Sequence, residues 1–145
     1  VAYGAAVAEA AQARKLLSEE GWEVGLVNAR FAKPIDAETL GKCLAASGLV
    51  VTIEDGSLMG GFGSAVAELA ARVSEPRGRL LSLGVPDVLL EQGSREDLLR
   101  EVGLDAEGIA RRVAEALRSG RPRRPAPPVP GPTGSPTPGS RHPKP

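Results

Sequence analysis

The chain has 145 residues, a formal charge of zero from 18 Lys/Arg and 18 Asp/Glu, and an apolar fraction of 41%, enough for one domain with a buried core. Residues 1–120 hold 13 basic and 18 acidic side chains, whereas residues 121–145 hold five basic and no acidic ones. A mildly acidic body lacks the clustered cations that displace counterions from phosphates, which argues against a nucleic-acid partner, and no run approaches the ~20 apolar residues of a membrane-spanning helix.

One cysteine, Cys43, permits neither an internal disulfide nor a cysteine-rich metal site. Together with the lack of a basic-then-apolar leader, this makes the cytoplasm the expected location. Val1-Ala2-Tyr3 reads as the inside of a strand, so the first strand is expected to be incomplete. Ala6, Ala10, Ala13 and Leu17 recur at helical spacing, and the spacing predicts an amphipathic helix over residues 4–20 that Gly21 ends. Val24 to Val27 is a short apolar run suited to a buried strand. Pro34 and Asp36 set the next helix start. Asp36 is placed to cap, Ile35 can pack on Leu40 as a hydrophobic staple, and the helix is expected to run to about Ala46.

Leu49 to Ile53 is the clearest strand. Glu54-Asp55-Gly56 follow it, and the turn through Gly60-Gly61-Phe62-Gly63 launches a helix expected to reach about Ser74, where Pro76 blocks its continuation. Arg79 to Leu83 gives a fourth strand. Ser94 with Asp97 resembles a capping box, and Asp105 caps a last helix whose apolar face is Ile109, Val113, Ala116 and Leu117. Strand and helix in alternation imply an α/β fold: a three-layer, open, mostly parallel sheet with helices on both faces, spanning residues 1–120. Residues 121–145 contain ten of the thirteen prolines and read as a disordered, Pro-rich tail.

Ligands of open parallel sheets bind beyond the carboxyl ends of the strands. That edge carries Tyr3-Gly4, Asn28-Ala29-Arg30 and Glu54-Asp55-Gly56, together with the glycine turn. Free N–H groups at a helix N-terminus can hold an anion, yet the glycine spacing is neither that of a P-loop nor Gly-x-Gly-x-x-Gly. Two carboxylates stand directly before it. A purely structural turn and an anion site both remain open, as do acid/base and interface roles for Glu54 and Asp55. Arg30 and Lys33 flank Phe31 and could hold a phosphate or a carboxylate. His142, the one histidine, lies in the tail, and Cys43 reads as a small core residue. No metal site is expected.

The segments Asn28-Ala29-Arg30-Phe31-Ala32-Lys33-Pro34-Ile35-Asp36, Glu54-Asp55-Gly56 with Gly60-Gly61, and Gly84-Val85-Pro86-Asp87 resemble the last domain of the 1-deoxy-D-xylulose-5-phosphate synthases, within the transketolase-like enzymes. Gln92-Gly93 and Gly103-Leu104-Asp105 fit as well. The resemblance implies a parent that uses thiamine diphosphate and Mg²⁺ to decarboxylate pyruvate and join the two-carbon unit to glyceraldehyde 3-phosphate, feeding isoprenoid, thiamine and pyridoxal synthesis. It also implies that the cofactor is bound by preceding domains, that no catalytic or cofactor-binding residue lies in this segment, and that the segment alone is inactive. The expected partners are the preceding domains and a second copy in a homodimer. Arg30, Lys33, Asp36, Glu54, Asp55, Gly60 and Gly61 become candidates for interdomain contacts or an anion site. A free-standing regulatory or nucleotide-binding module, and the corresponding domain of a 2-oxoacid dehydrogenase β subunit, are the alternatives.

Overall fold

The computed structural model describes residues 1–73 and 78–120. Along them run β1 (Ala2–Tyr3), α1 (Ala6–Glu19), β2 (Asn28–Ala29), α2 (Ala37–Ala46), β3 (Leu49–Ser57), α3 (Phe62–Ala70), β4 (Arg79–Val85), α4 (Arg95–Glu101) and α5 (Ala106–Arg118). The strands form one sheet in the order β2-β1-β3-β4, and every pairing is parallel. Each connection therefore crosses over the sheet and carries at least one helix, as parallel neighbours require.

Both faces are covered. Ala2, Ile53 and Leu83 pack on one side against Ala6, Ala10, Ala13 and Leu17 of α1 and against Ile109, Ala110, Val113 and Ala114 of α5. The alanine stripe of α1 presents little bulk, so helix and sheet approach closely, and burying Leu17 alone is worth about 2 kcal/mol. On the other side Leu40 of α2 meets Phe62 and Val66 of α3, with Val1, Tyr3, Ile35 and Leu80 packed around them. A sheet buried on both faces explains why β3 reads as a nearly continuous apolar run until Glu54.

The helix starts follow their expected chemistry. Asp36 accepts a hydrogen bond from the Thr39 N–H at 2.9 Å, Ser94 accepts one from Asp97 at 3.1 Å and Asp105 one from Gly108 at 3.1 Å. In place of a reciprocal capping box, the Asp97 carboxylate accepts from the Ser94 hydroxyl itself, at 2.6 Å.

Four boundaries differ from the expectations. The run Val24–Val27 precedes the paired residues Asn28–Ala29, which face Ala2 and Tyr3, and of that run Val27 joins the ladder through its carbonyl, which accepts the Ala2 N–H at 2.9 Å. Strand β3 continues past Ile53 to Ser57 and β4 past Leu83 to Val85, because the two resume pairing at Ser57 and Val85 beyond a register shift. Helix α3 ends at Ala70, while Ser74 and Pro76 lie outside the described residues. On α5 the buried stripe includes Ala110 and Ala114, and Ala116 is only half-buried. The Pro-rich segment 121–145 also lies outside the described residues.

Candidate functional site

The register sets Tyr3 level with Ala29 on one side and Glu54 on the other, so the strand ends named from the sequence share one edge of the sheet. Because β3 continues through this level, Glu54 and Asp55 are successive strand residues and their side chains leave on opposite faces. Glu54 turns inward and is 5% exposed. Its Oε2 accepts the Phe62 N–H at 2.7 Å and its Oε1 the Gly63 N–H at 2.8 Å, the first two amides of α3.

Those amides are donors that a helix leaves without an internal partner, and the helix dipole makes their neighbourhood favourable to negative charge. Glu54 therefore supplies, from inside the domain, the anion that this helix end attracts. The turn that makes this possible is narrow. Gly60 sits at φ +73°, a left-handed conformation that suits glycine, and its N–H donates to Ser64 Oγ at 3.0 Å. At Gly61 a β-carbon would collide with the Glu54 carboxylate and the Ser57 carbonyl oxygen. Tyr3 stacks on Phe62 with ring centroids 5.3 Å apart, fixing the helix start against β1.

Asp55 faces outward, and its Oδ2 accepts from Arg95 Nε at 3.0 Å and Nη2 at 2.8 Å, which ties the end of β3 to the start of α4. Asp36 is engaged in its own cap, and the Thr39 backbone N–H holds its carboxyl below the ordinary carboxylate value. Arg30 and Lys33 lie exposed on the loop after β2, beside a cis Lys33–Pro34 peptide. Neither takes part in the four ion pairs found among the described residues. Cys43 is half-buried and far from this edge, lining a cavity at the opposite end of the sheet. His142 is outside the described residues.

The edge also carries a feature that sequence reasoning did not single out as a site. Phe31, Met59, Val88 and Leu89 are 67%, 70%, 61% and 101% exposed, and they occupy the loops after β2, β3 and β4 in turn. An exposed apolar residue is ordinary singly, but large ones on each loop of a single edge form the kind of surface that another protein surface covers. The available signal was the position of these four residues just past the strand ends.

The family described as "Transketolase, C-terminal domain" matches residues 1–109. This chain belongs to that family. The 1-deoxy-D-xylulose-5-phosphate synthase of Synechococcus sp. (strain JA-2-3B'a(2-13)) is 50% identical over 115 residues, 78% of this chain and 17% of that protein. The enzyme of the same name from Aquifex aeolicus (strain VF5) is 43% identical over 121 residues, 83% of this chain and 19% of its own length. Among solved structures, one titled "Split gene transketolase, inactive beta4 tetramer" superposes with a TM-score of 0.73 at 36% identity, covering 83% of this chain and 39% of that one. The chain thus spans less than a fifth of the length of these curated relatives.

Thiamine diphosphate and Mg²⁺, which the resemblance implies for the parent, do not fit the groups at this edge. The helix N-terminus that could receive a diphosphate is closed by the Glu54 carboxylate. Among the described residues no three His, Cys, Asp or Glu side chains converge as ligands. No chemical step is therefore assigned to these side chains.

Proposed function

We propose that this transketolase C-terminal domain is the last domain of a thiamine diphosphate-dependent 1-deoxy-D-xylulose-5-phosphate synthase, where it braces the catalytic domains and the dimer and carries no catalytic group of its own. The observation that carries this reading is the 50% identity to a synthase of that name across 115 residues, 78% of this chain. The geometry supports a bracing role. Glu54, Asp55 and Asp36 are engaged inside the domain, and the apolar side chains at the strand-end edge face outward. The cofactor and its metal belong to the preceding domains of the parent, and the partners are those domains and a second copy.

The apolar edge, together with Arg30 and Lys33, is the proposed contact surface. Interfaces concentrate their energy in a few large apolar or aromatic anchors. In the full-length parent, Met59→Asp combined with Leu89→Asp should raise the dissociation constant of the assembled enzyme at least tenfold by analytical ultracentrifugation. Turnover per assembled enzyme should stay within about twofold. Unchanged assembly with a collapsed turnover would overturn the bracing role. The isolated chain, given pyruvate, glyceraldehyde 3-phosphate, thiamine diphosphate and Mg²⁺, should release no CO₂ above background, and sustained turnover from it would overturn the assignment of chemistry to the preceding domains.

A further inference from the structure

Strand β4 lies at the edge of the sheet, paired with β3 alone. Its backbone alternates in direction. Arg79 donates to the Gly48 carbonyl at 3.1 Å and the Val85 carbonyl accepts from Leu58 at 2.8 Å, so Arg79, Leu81, Leu83 and Val85 turn their polar groups toward β3. Leu80, Ser82 and Gly84 turn theirs outward. Among the described residues, neither the N–H nor the C=O of these three has a hydrogen-bond partner. Leu80 to Val85 also include no charged residue and no proline, the devices that discourage pairing along a strand edge.

Gly84 is the decisive residue of the three. It is buried, with Glu54, Gly56 and Leu58 close against its inner side, and buried main-chain groups are almost always paired. Beside it opens a cavity of about 320 Å³ whose apolar walls are Leu58, Pro86, Val88, Leu90 and Val102. This is the small end of binding cavities, with room for one large apolar side chain. Arg112 also lines it, half-buried and in none of the ion pairs among the described residues. Glu101, the other charged residue of the wall, is exposed to water. A half-buried guanidinium with no carboxylate in reach favours an anionic partner.

We propose that the β4 edge binds an extended acidic peptide of a partner protein, which pairs with Leu80, Ser82 and Gly84 as an added edge strand. The peptide sets one apolar side chain into the cavity beside Gly84 and a neighbouring carboxylate on Arg112. A segment of about five residues is long enough to run beside Leu80–Gly84. Main-chain bonds along a sheet edge supply affinity, and the cavity selects the side chain. Met59 and Leu89 line no part of this cavity, so the site is separable from the proposed bracing surface, with which it shares Val88. Two occupants nearer at hand fit worse. Residues 121–145 hold no acidic residue and ten prolines, which lack the N–H that strand pairing uses. A second copy of β4 offers Arg112 no carboxylate between Leu80 and Val85.

The test titrates the 145-residue chain with the probe peptide acetyl-Thr-Val-Leu-Asp-Val-amide and reads amide hydrogen exchange by NMR. At millimolar peptide, exchange at Leu80, Ser82 and Gly84 should slow at least tenfold, while Leu81 and Leu83, already paired to β3, should change less than twofold. Arg112→Gln should weaken binding at least fivefold, and so should lysine in place of the peptide's aspartate. No slowing at millimolar peptide, or equal affinity for the aspartate and lysine peptides, overturns the proposal. So does protection of Leu80 and Ser82 in the peptide-free chain that disappears when residues 121–145 are removed, which would make the tail the occupant, or that grows with protein concentration, which would make a second copy the occupant.

Discussion

Glu54 shows how much one residue's direction decides. The sequence places Glu54 and Asp55 side by side before a glycine turn, and read as a loop pair they suggest a shared role. Extension of β3 to Ser57 sends them to opposite faces, one onto the first amides of α3 and the other to Arg95. That split was not legible, because the strand continues only through pairing with β4 beyond a register shift, and pairing depends on residues about 30 positions away. Glu54→Gln keeps the shape but replaces one acceptor oxygen with a donor facing a donor, leaving a buried N–H without a partner. The expected loss is about 2 kcal/mol in urea unfolding, and a loss below about 0.5 kcal/mol would mean that the cap contributes little. Thr52, 1% exposed, gives the converse case: its Oγ1 is buried with no hydrogen-bond partner among the described residues. Thr52→Val removes the hydroxyl at nearly constant volume and should stabilise the domain by about 1 kcal/mol. A destabilised variant would indicate that the hydroxyl finds a partner after all.

At the scale of elements, the helices were legible and the strands less so, for a physical reason. A helix announces itself locally through periodicity and caps, and Asp36, Ser94 and Asp105 each cap the helix that follows. Asp105→Ala should therefore cost about 1 kcal/mol, read as a lower urea midpoint with unchanged slope, whereas Asp105→Asn should retain most of the stability. Alanine and asparagine variants of equal stability would remove the cap from the account. A strand exists only beside a partner, so the paired residues are Asn28–Ala29, which face Ala2 and Tyr3, and the more strand-like run before them contributes only the Val27 carbonyl. The candidate site was legible in the same partial way. Its edge follows from strand order alone, but the exposure of Phe31, Met59, Val88 and Leu89 depends on loop paths that no local pattern encodes.

For the molecule as a whole, the 145-residue polypeptide prepared with a free amine at Val1 should have a stability that depends on pH. The Val1 ammonium is held below its ordinary value of 8.0, first by burial, with charge on Cys43 acting in the opposite sense. The other charged residues lining the cavity that Val1 and Cys43 share are Arg14, Glu23 and Arg79. Below its folded-state pKa the amine is protonated in both states, and folding bears the full cost of desolvating it. Between that value and 8.0 the unfolded chain binds the proton more readily than the folded one, so raising the pH favours the fold. Above 8.0 neither state holds it and the dependence ends. Unfolding free energy should therefore climb as pH approaches 8.0 from below and then level off. Acetylating Val1 removes the charge and should flatten that climb, with the largest gain in stability at the acidic end of the window. A Cys43→Ser background removes the charge that acts on the amine in the opposite sense to burial. If the slope survives acetylation in that background, the buried amine is not its source, and the pH dependence of the polypeptide arises from other groups.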